Sequence, residues 1–260
     1  MIKRILVFTT LIAMFALVLS GCSAKDQTLL EKIKKDGVMK IGTEGTYAPF
    51  TFHDKDGKLT GFDVEIAEEV AKRLGVKAEF VETSWDGIFA GLDSKRFDAI
   101  ANEVTIRPDR IEKYDFSTPY IVSKAVLIVS SDNDTIRSFE DLKGKKSGQT
   151  LTSNFGKLAT SYGAIIEQVD GFNQALDLLA SKRIDATIND SLSYLDYTKQ
   201  KPDTKIKVVA EQQTKDESAI LFRKGDKELV AAVNKALADI KSDGTYMKIS
   251  QKWFGADVSK

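Results

Sequence analysis

Cysteine and histidine are almost missing from this chain. One of each occurs in 260 residues, Cys22 and His53, so no disulfide can close within the chain and no pair of histidines is spaced for a metal. There is no phosphate-binding glycine loop and no nucleophile elbow of the G-x-S-x-G kind. Charge of one sign is missing too: Lys plus Arg number 38 and Asp plus Glu number 38, which leaves no basic excess to hold a nucleic acid or an anionic bilayer. His53 stands in Phe52-His53-Asp54-Lys55-Asp56-Gly57, where Asp-Gly marks a hairpin turn, and is expected as a solvated loop residue. Asp54 to Glu65 has the outline of a calcium loop, but its sixth position, where the sharp turn needs Gly, is Leu59. A hairpin followed by a helix at Phe62 is the better reading, and no metal or other cofactor is implied.

The amino terminus carries what the rest lacks, an uncharged apolar run. Met1-Ile2-Lys3-Arg4 precedes Ile5 to Leu19, and small residues Ser20-Gly21 lead to Cys22. That is the layout of a secretory leader, and it is too short for a good membrane span. Leu19-Ser20-Gly21-Cys22 resembles the lipobox of bacterial lipoproteins, which implies residues 1–22 as a signal peptide, lipid on Cys22 and a chain held on the outer side of a cell membrane. Residues 23–37 read as a polar tether ending in a short helix, with Leu29, Leu30 and Ile33 as its apolar stripe. The mature part, about 235 residues, is long enough to stabilise itself by its core without a disulfide.

From Val38 onward, short β-rich runs alternate with amphipathic helices, which argues for α/β units with mainly parallel strands. Strands are expected at Val38–Thr43, Lys77–Glu82 and Asp98–Asn102, with helices at Phe62–Leu74 and Trp85–Ser94. The second half repeats the order, with strands at Lys145–Gln149, Ile165–Val169 and Ile184–Ile188 and helices at Ser153–Tyr162 and Phe172–Ala180. An internal echo supports a duplicated plan: Ser94-Lys95-Arg96-Phe97-Asp98-Ala99-Ile100-Ala101-Asn102-Glu103 against Ser181-Lys182-Arg183-Ile184-Asp185-Ala186-Thr187-Ile188-Asn189-Asp190. Both copies end as Asn followed by a carboxylate. Ligands of open α/β sheets bind beyond the carboxyl ends of the strands, so these two rims are expected to face each other across a cleft. Ala125–Val129 and Ser218–Phe222 are hinge candidates. A helix at Lys227–Ile240 and another through Trp253 would pack back on the first lobe. Lobe 1 is then residues 38–122 plus 219–260, and lobe 2 is residues 123–218.

The polar residues of the expected rims suit a free amino acid, whose carboxylate, ammonium and side chain each need a different partner when buried. Arg110 follows the first rim and could form a bidentate pair with the carboxylate; Arg107 is the alternative that spacing leaves open. Thr150-Leu151-Thr152-Ser153 leads into a helix whose first N–H groups would serve the same carboxylate from the opposite lobe, or be capped by Thr152 or Ser153. Asp190 supplies a countercharge for the ammonium, with Glu103 beside Asn102 as rival or assistant. Tyr47 and Trp85 offer aromatic walls, and Phe50 is expected in the core.

These residues resemble the type II periplasmic binding proteins of polar amino-acid importers, solute-binding family 3. The resemblance rests on Gly42-Thr43-Glu44-Gly45-Thr46-Tyr47-Ala48-Pro49-Phe50, Gly61-Phe62-Asp63-Val64-Glu65, Trp85-Asp86-Gly87, Arg110 with Asp115-Phe116-Ser117-Thr118-Pro119-Tyr120, and Gly244-Thr245-Tyr246 before Lys252-Trp253-Phe254-Gly255. It implies a two-lobed α/β fold joined by two hinge strands, and a non-enzymatic, monomeric carrier that delivers an L-amino acid to the permease of an ABC importer. Tyr47 and Trp85 would flank the ligand, Thr105 and Arg110 hold it from lobe 1, Thr152 and its neighbours complete the carboxylate site, and Asp190 take the ammonium. Glu44-Gly45-Thr46-Tyr47, Leu92-Asp93-Ser94-Lys95-Arg96 and Trp253-Phe254-Gly255-Ala256-Asp257-Val258 look most like the cystine-binding branch, which makes L-cystine the leading ligand. That branch has Gln where this chain has Glu103, so cysteine and other polar or basic amino acids stay open. A sensor or adhesin using the same cleft, and a cyclohexadienyl dehydratase-like enzyme with Glu103 or Asp190 as general acid, are the competing functions.

Overall fold

The computed structural model describes residues 27–260; the leader and Cys22 lie outside them. The described chain opens with helix α1 (Leu29–Asp36), started by a capping box in which Thr28 and Glu31 satisfy each other's backbone N–H groups and stopped by Gly37 in the left-handed region. Its stripe of Leu29, Leu30 and Ile33 packs on the first core, as the apolar spacing predicts.

Strand β1 (Val38–Thr43) is followed by a small antiparallel sheet of β2 (Thr46–Tyr47), β3 (Thr51–His53) and β4 (Leu59–Thr60). The Asp54–Lys58 turn joins β3 to β4, with Asp54 Oδ1 accepting from the N–H groups of Asp56 and Lys58. Helix α2 (Phe62–Leu74), β5 (Lys77–Glu82), α3 (Trp85–Asp93), β6 (Ala99–Thr105), the short α4 (Pro108–Ile111), β7 (Tyr114–Phe116) and β8 (Ile121–Ser123) complete the first pass through lobe 1. Lobe 2 contains β9 (Ala125–Ser130), β10 (Lys146–Gln149), α5 (Asn154–Ser161), β11 (Ile165–Gln168), α6 (Phe172–Ala180), β12 (Ala186–Asp190), α7 (Ser191–Gln200) and β13 (Ile206–Glu211). The chain then returns through β14 (Asp216–Arg223), α8 (Lys227–Ser242) and α9 (Thr245–Phe254).

The two main sheets share one plan, β5-β1-β6-β14-β7 with β8 also on β14, and β11-β10-β12-β9-β13. In each, the first three strands are parallel and the fourth is antiparallel to both neighbours. The reversed strand has a topological cause. Parallel strands end at the cleft, so a strand arriving from the other lobe must begin at the cleft and run away from it. Ala125 accordingly pairs with Asp190 and Ser218 with Thr105. The two runs expected as hinges start at the crossings: the chain changes sheets at Lys124 and again in residues 212–215. Residues 216–218 therefore pair within the first sheet, a little before the expected boundary at 219.

The sequence echo is an echo of structure. Lys95 and Lys182 both adopt positive φ, 62° and 56°, at the same helix-to-strand turn. Asp98 and Asp185 then accept from the backbone N–H groups of Lys40 and Lys146 in the neighbouring parallel strands. The neighbouring parallel strands, β1 and β10, each carry a glycine against a residue just after that turn. A Cβ at Gly42 would stand 2.5 Å from the Phe97 ring, and one at Gly148 2.8 Å from Ile184.

Helices cover both faces of each sheet, giving three layers per lobe. In lobe 1, Ile66, Val70, Leu229, Val233, Leu237 and Ile240 fill one side of the sheet, and Ile88, Leu92, Phe97 and Ile100 the other. Phe50, as expected, is fully buried. Lobe 2 divides likewise between Phe139, Leu142 and Ala159 on one side and Phe172, Leu176 and Leu179 on the other.

Candidate ligand-binding cleft

The carboxyl ends of β1, β6, β10 and β12 meet across a small cavity lined by Glu44, Tyr47, Trp85, Asn102, Glu103, Thr150, Ser153, Asn154, Phe155, Gly171, Phe172 and Asn189. Of the residues expected here, Tyr47, Trp85, Asn102, Glu103, Thr150 and Ser153 line it. Thr105, Arg110 and Asp190 are buried around it without lining it.

Tyr47 spans the two lobes. Its hydroxyl lies 2.9 Å from Glu103 Oε2 and 3.1 Å from Asn189 Oδ1, and its single proton can serve one acceptor at a time. Glu103 lies within the buried run of β6 with φ of 49°, a left-handed position that breaks the regular alternation of the strand next to the cleft. Its backbone N–H donates to Asp63 Oδ2 at 2.5 Å, and Tyr120 Oη donates to the other oxygen of that carboxylate at 2.9 Å. Asn102 is committed to the rim itself: Oδ1 accepts from Glu44 N at 2.8 Å, and Nδ2 donates to Glu44 Oε2 at 2.6 Å.

The electrostatics are dominated by buried acids. Burial, then the neighbouring Asp190, holds Glu103 well above the usual carboxylate range. Burial lifts Asp190 to about 6 and both Glu44 and Asp63 to about 7. Among the described residues none of these four forms an ion pair. Asp190 also caps α7 by accepting from Leu192 N at 2.8 Å.

Arg110 is 6% exposed. Its Nη1 donates to Thr105 O at 2.9 Å, its guanidinium carbon sits 5.3 Å from the Trp85 ring centre and 5.1 Å from that of Phe89, and its buried Nη2 has no partner among the described residues. Burial, then the nearby Arg107, lowers it to about 10, so it stays charged at neutral pH. A stacked, charged guanidinium with an unpaired N–H is well prepared for a carboxylate. Arg107 is partly spent: Nε and Nη2 chelate Asp109 at 3.0 and 2.9 Å, although its buried Nη1 is also unpaired.

Thr152 differs from expectation. Its N–H and hydroxyl both donate to Asp86 Oδ1, at 3.0 and 2.7 Å, and Leu151 N–H reaches Asp86 Oδ2 at 3.3 Å. It clasps the two lobes at the rim, because one carboxylate at the start of α3 outcompetes solvent for those donors. Ser153 takes the capping role alone, accepting from Gly156 N at 2.9 Å. Lys157 to Asp109 at 2.5 Å and Ser193 Oγ to Ala48 O at 3.0 Å are further cross-lobe contacts. The cleft is closed.

Glu44, Asn154, Phe155, Gly171, Phe172 and Asn189 line the cavity without having been expected as site residues. The rim rule reaches them, since Glu44 follows β1, Asn154 and Phe155 begin α5, Gly171 precedes α6 and Asn189 is near the end of β12.

This architecture and cleft are matched by known proteins. The model of the bacterial extracellular solute-binding proteins, family 3, matches residues 39–256, and the chain belongs to that family. It is 54% identical over 239 residues to the L-cystine-binding protein TcyA of Bacillus subtilis (strain 168), covering 92% of this chain and 89% of that one. Among solved structures, the L-cystine solute receptor of Neisseria gonorrhoeae in the unliganded open conformation is 47% identical, with a TM-score of 0.60 over 90% of this chain and 99% of that chain. An ancestral arginine-binding protein bound to glutamine is 41% identical and superposes better, with a TM-score of 0.81 over 85% and 99%. A better fit to the less similar, ligand-bound chain accords with the closed cleft.

Proposed function

We propose that this chain captures L-cystine between its lobes and presents it to the permease of an ABC importer. The observation that carries the reading is the placing around one cavity of Arg110, whose Nη2 has no partner among the described residues, and of the carboxyls Glu103 and Asp190, which form no ion pair among the described residues. Together they offer a carboxylate receptor and an ammonium receptor. Trp85, Phe155 and Phe172 give the cavity walls suited to sulfur, which packs favourably at aromatic rings. Glu44 adds a carboxylate at the rim of β1 for the second ammonium that cystine carries and cysteine does not. The identities to L-cystine-binding proteins support the same ligand.

A basic amino acid is the second reading, favoured by Glu44 as a partner for a cationic side chain. The extracytoplasmic family agrees with the leader and with lipid attachment at Cys22. Closing around the ligand needs no chemical step, and binding selects the closed state that the permease reads. The test is calorimetry on the protein from Ser23 onward, stripped of carried-over ligand by unfolding and refolding. L-cystine is expected to bind at a one-to-one ratio, more tightly than cysteine, glutamine or arginine. Tighter binding of arginine would overturn the cystine assignment, and no binding by any amino acid would overturn the reading. In the full chain, Cys22→Ser is expected to move the protein from the membrane to the soluble fraction.

A further inference from the structure

Two buried donors at the cleft are left over by the protein's own hydrogen bonds. Arg110 is 6% exposed and Trp85 7% exposed, and Arg110 Nη2 and Trp85 Nε1 are both buried with no partner among the described residues. The capture reading uses the first and treats Trp85 only as an aromatic wall. An indole nitrogen can donate and cannot accept, and a buried one ordinarily has an acceptor, because an unmade bond leaves the group desolvated with nothing gained in exchange. The carboxyls that line the cavity are engaged elsewhere: Glu44 Oε2 accepts from Asn102 Nδ2 at 2.6 Å, and Glu103 Oε2 from Tyr47 Oη at 2.9 Å. Trp253 also keeps a buried Nε1 with no partner among the described residues, so an orphaned N–H is not by itself a site. Trp85 differs in its place. It lines the cavity, whereas Trp253 packs on Phe52, and its ring meets the carboxylate receptor, with the Arg110 guanidinium carbon 5.3 Å from the ring centre.

We infer that the Trp85 indole N–H is a second donor to the α-carboxylate of the bound amino acid, closing on the same group as Arg110 Nη2. This rests on the capture reading and gives Trp85 a recognition role at that site. A carboxylate has two oxygens and about four acceptor positions, so it can take both donors at once. Each donor is held by the protein before the ligand arrives. Arg110 Nη1 is committed to Thr105 O at 2.9 Å, which fixes the guanidinium and leaves Nη2 over. The indole is packed edge-on with Phe89, ring centres 5.4 Å apart at 90°, and the guanidinium carbon lies within 5.3 Å of the centres of both rings. Donors on stiff groups already in contact lose little freedom on binding. The pair reads the head that every α-amino acid carries, and discrimination between side chains is left to the rest of the cavity.

The chain has two tryptophans, so a nitrogen-15 spectrum of its indole groups holds one resonance for each, and Trp253→Phe assigns them. When L-cystine is added to the stripped, refolded protein, the Trp85 indole proton is expected to move downfield and to exchange with water more slowly, while that of Trp253 stays in place. Burial on closure also slows exchange, so the downfield move is the deciding sign. Trp85→Phe keeps an aromatic ring against Arg110 and Phe89 and removes the N–H. A bond to a charged acceptor corresponds to about 10- to 100-fold in Kd, and L-cystine should bind this variant at least about 10-fold more weakly in calorimetry. A ring that served only as packing would weaken binding in the variant without the downfield move in the wild type. L-cystine bound with the Trp85 resonance unmoved, or a Trp85→Phe Kd within about threefold of wild type, would overturn the inference and leave amino-acid capture standing. Should Trp85→Phe not fold, the wild-type spectrum decides alone. No binding of L-cystine or any other amino acid by folded wild-type protein would overturn the capture reading, and the inference with it.

Discussion

Removing the Asp86 carboxylate should loosen the closed state without touching the ligand. Asp86 accepts three bonds from the opposite lobe, at 2.7, 3.0 and 3.3 Å. All three exist only when the lobes meet. The site is at the rim and hydrated when open, so each good bond contributes about 1 kcal/mol net and the longest adds little. The loss in Asp86→Ala is therefore about 2 kcal/mol of closure free energy. Because the apparent affinity scales with the population of the closed form, this converts to roughly a 30-fold weaker Kd. The ligand leaves only after opening, so the change should fall on the dissociation rate. Stopped-flow fluorescence is suited to it, because Trp85 lines the cavity and the only other tryptophan, Trp253, packs on Phe52. The melting temperature of the ligand-free, open protein should move little, by the small helix-terminus contribution of one acidic residue in the first turn of α3. A Kd and a dissociation rate within threefold of wild type would refute the view that this clasp holds the cleft shut.

Three further outcomes are expected. Arg110→Lys should cost at least 2 kcal/mol of ligand binding, since an ammonium can neither fork to a carboxylate nor stack as the guanidinium does on Trp85 and Phe89; calorimetry of the folded variant checks it. Asp63 holds its proton to about 7 in the folded protein but releases it near 3.8 when unfolded. The native state thus binds more protons between those values, and stability should fall as pH rises from 4 to 7. Asp63→Asn should flatten that fall in thermal melts. Gly42→Ala should destabilise the protein by about 1–3 kcal/mol in urea titrations, because the added methyl would meet the Phe97 ring at 2.5 Å.

Much of the fold is written locally. The stripe Leu229, Val233, Ala236, Leu237 and Ile240 is buried throughout, and α2, α6, β1 and β5 run over the residues their periodicity predicts. Helix α7 and strand β13 are not legible in that way. Helix α7 has one buried residue, Ser193, and begins on a cap supplied by a cleft residue, Asp190; β13 is half-buried along most of its length and lies at a sheet edge. Weak patterning at an edge leaves little periodic signal.

The sequence by itself determined the alternation of strand and helix, the repeated turn at Lys95 and Lys182, and the two strands that carry Asn followed by a carboxylate. These depend on neighbours within a few residues or on the end of a strand. Tertiary structure decided what faces what. Thr152 meets Asp86 from 66 positions away and Tyr47 meets Asn189 from 142 positions away, only because two separately built sheets close on one another. Local preferences act over a helical turn or a strand, whereas the pairing of charges across a cleft depends on the path of the whole chain.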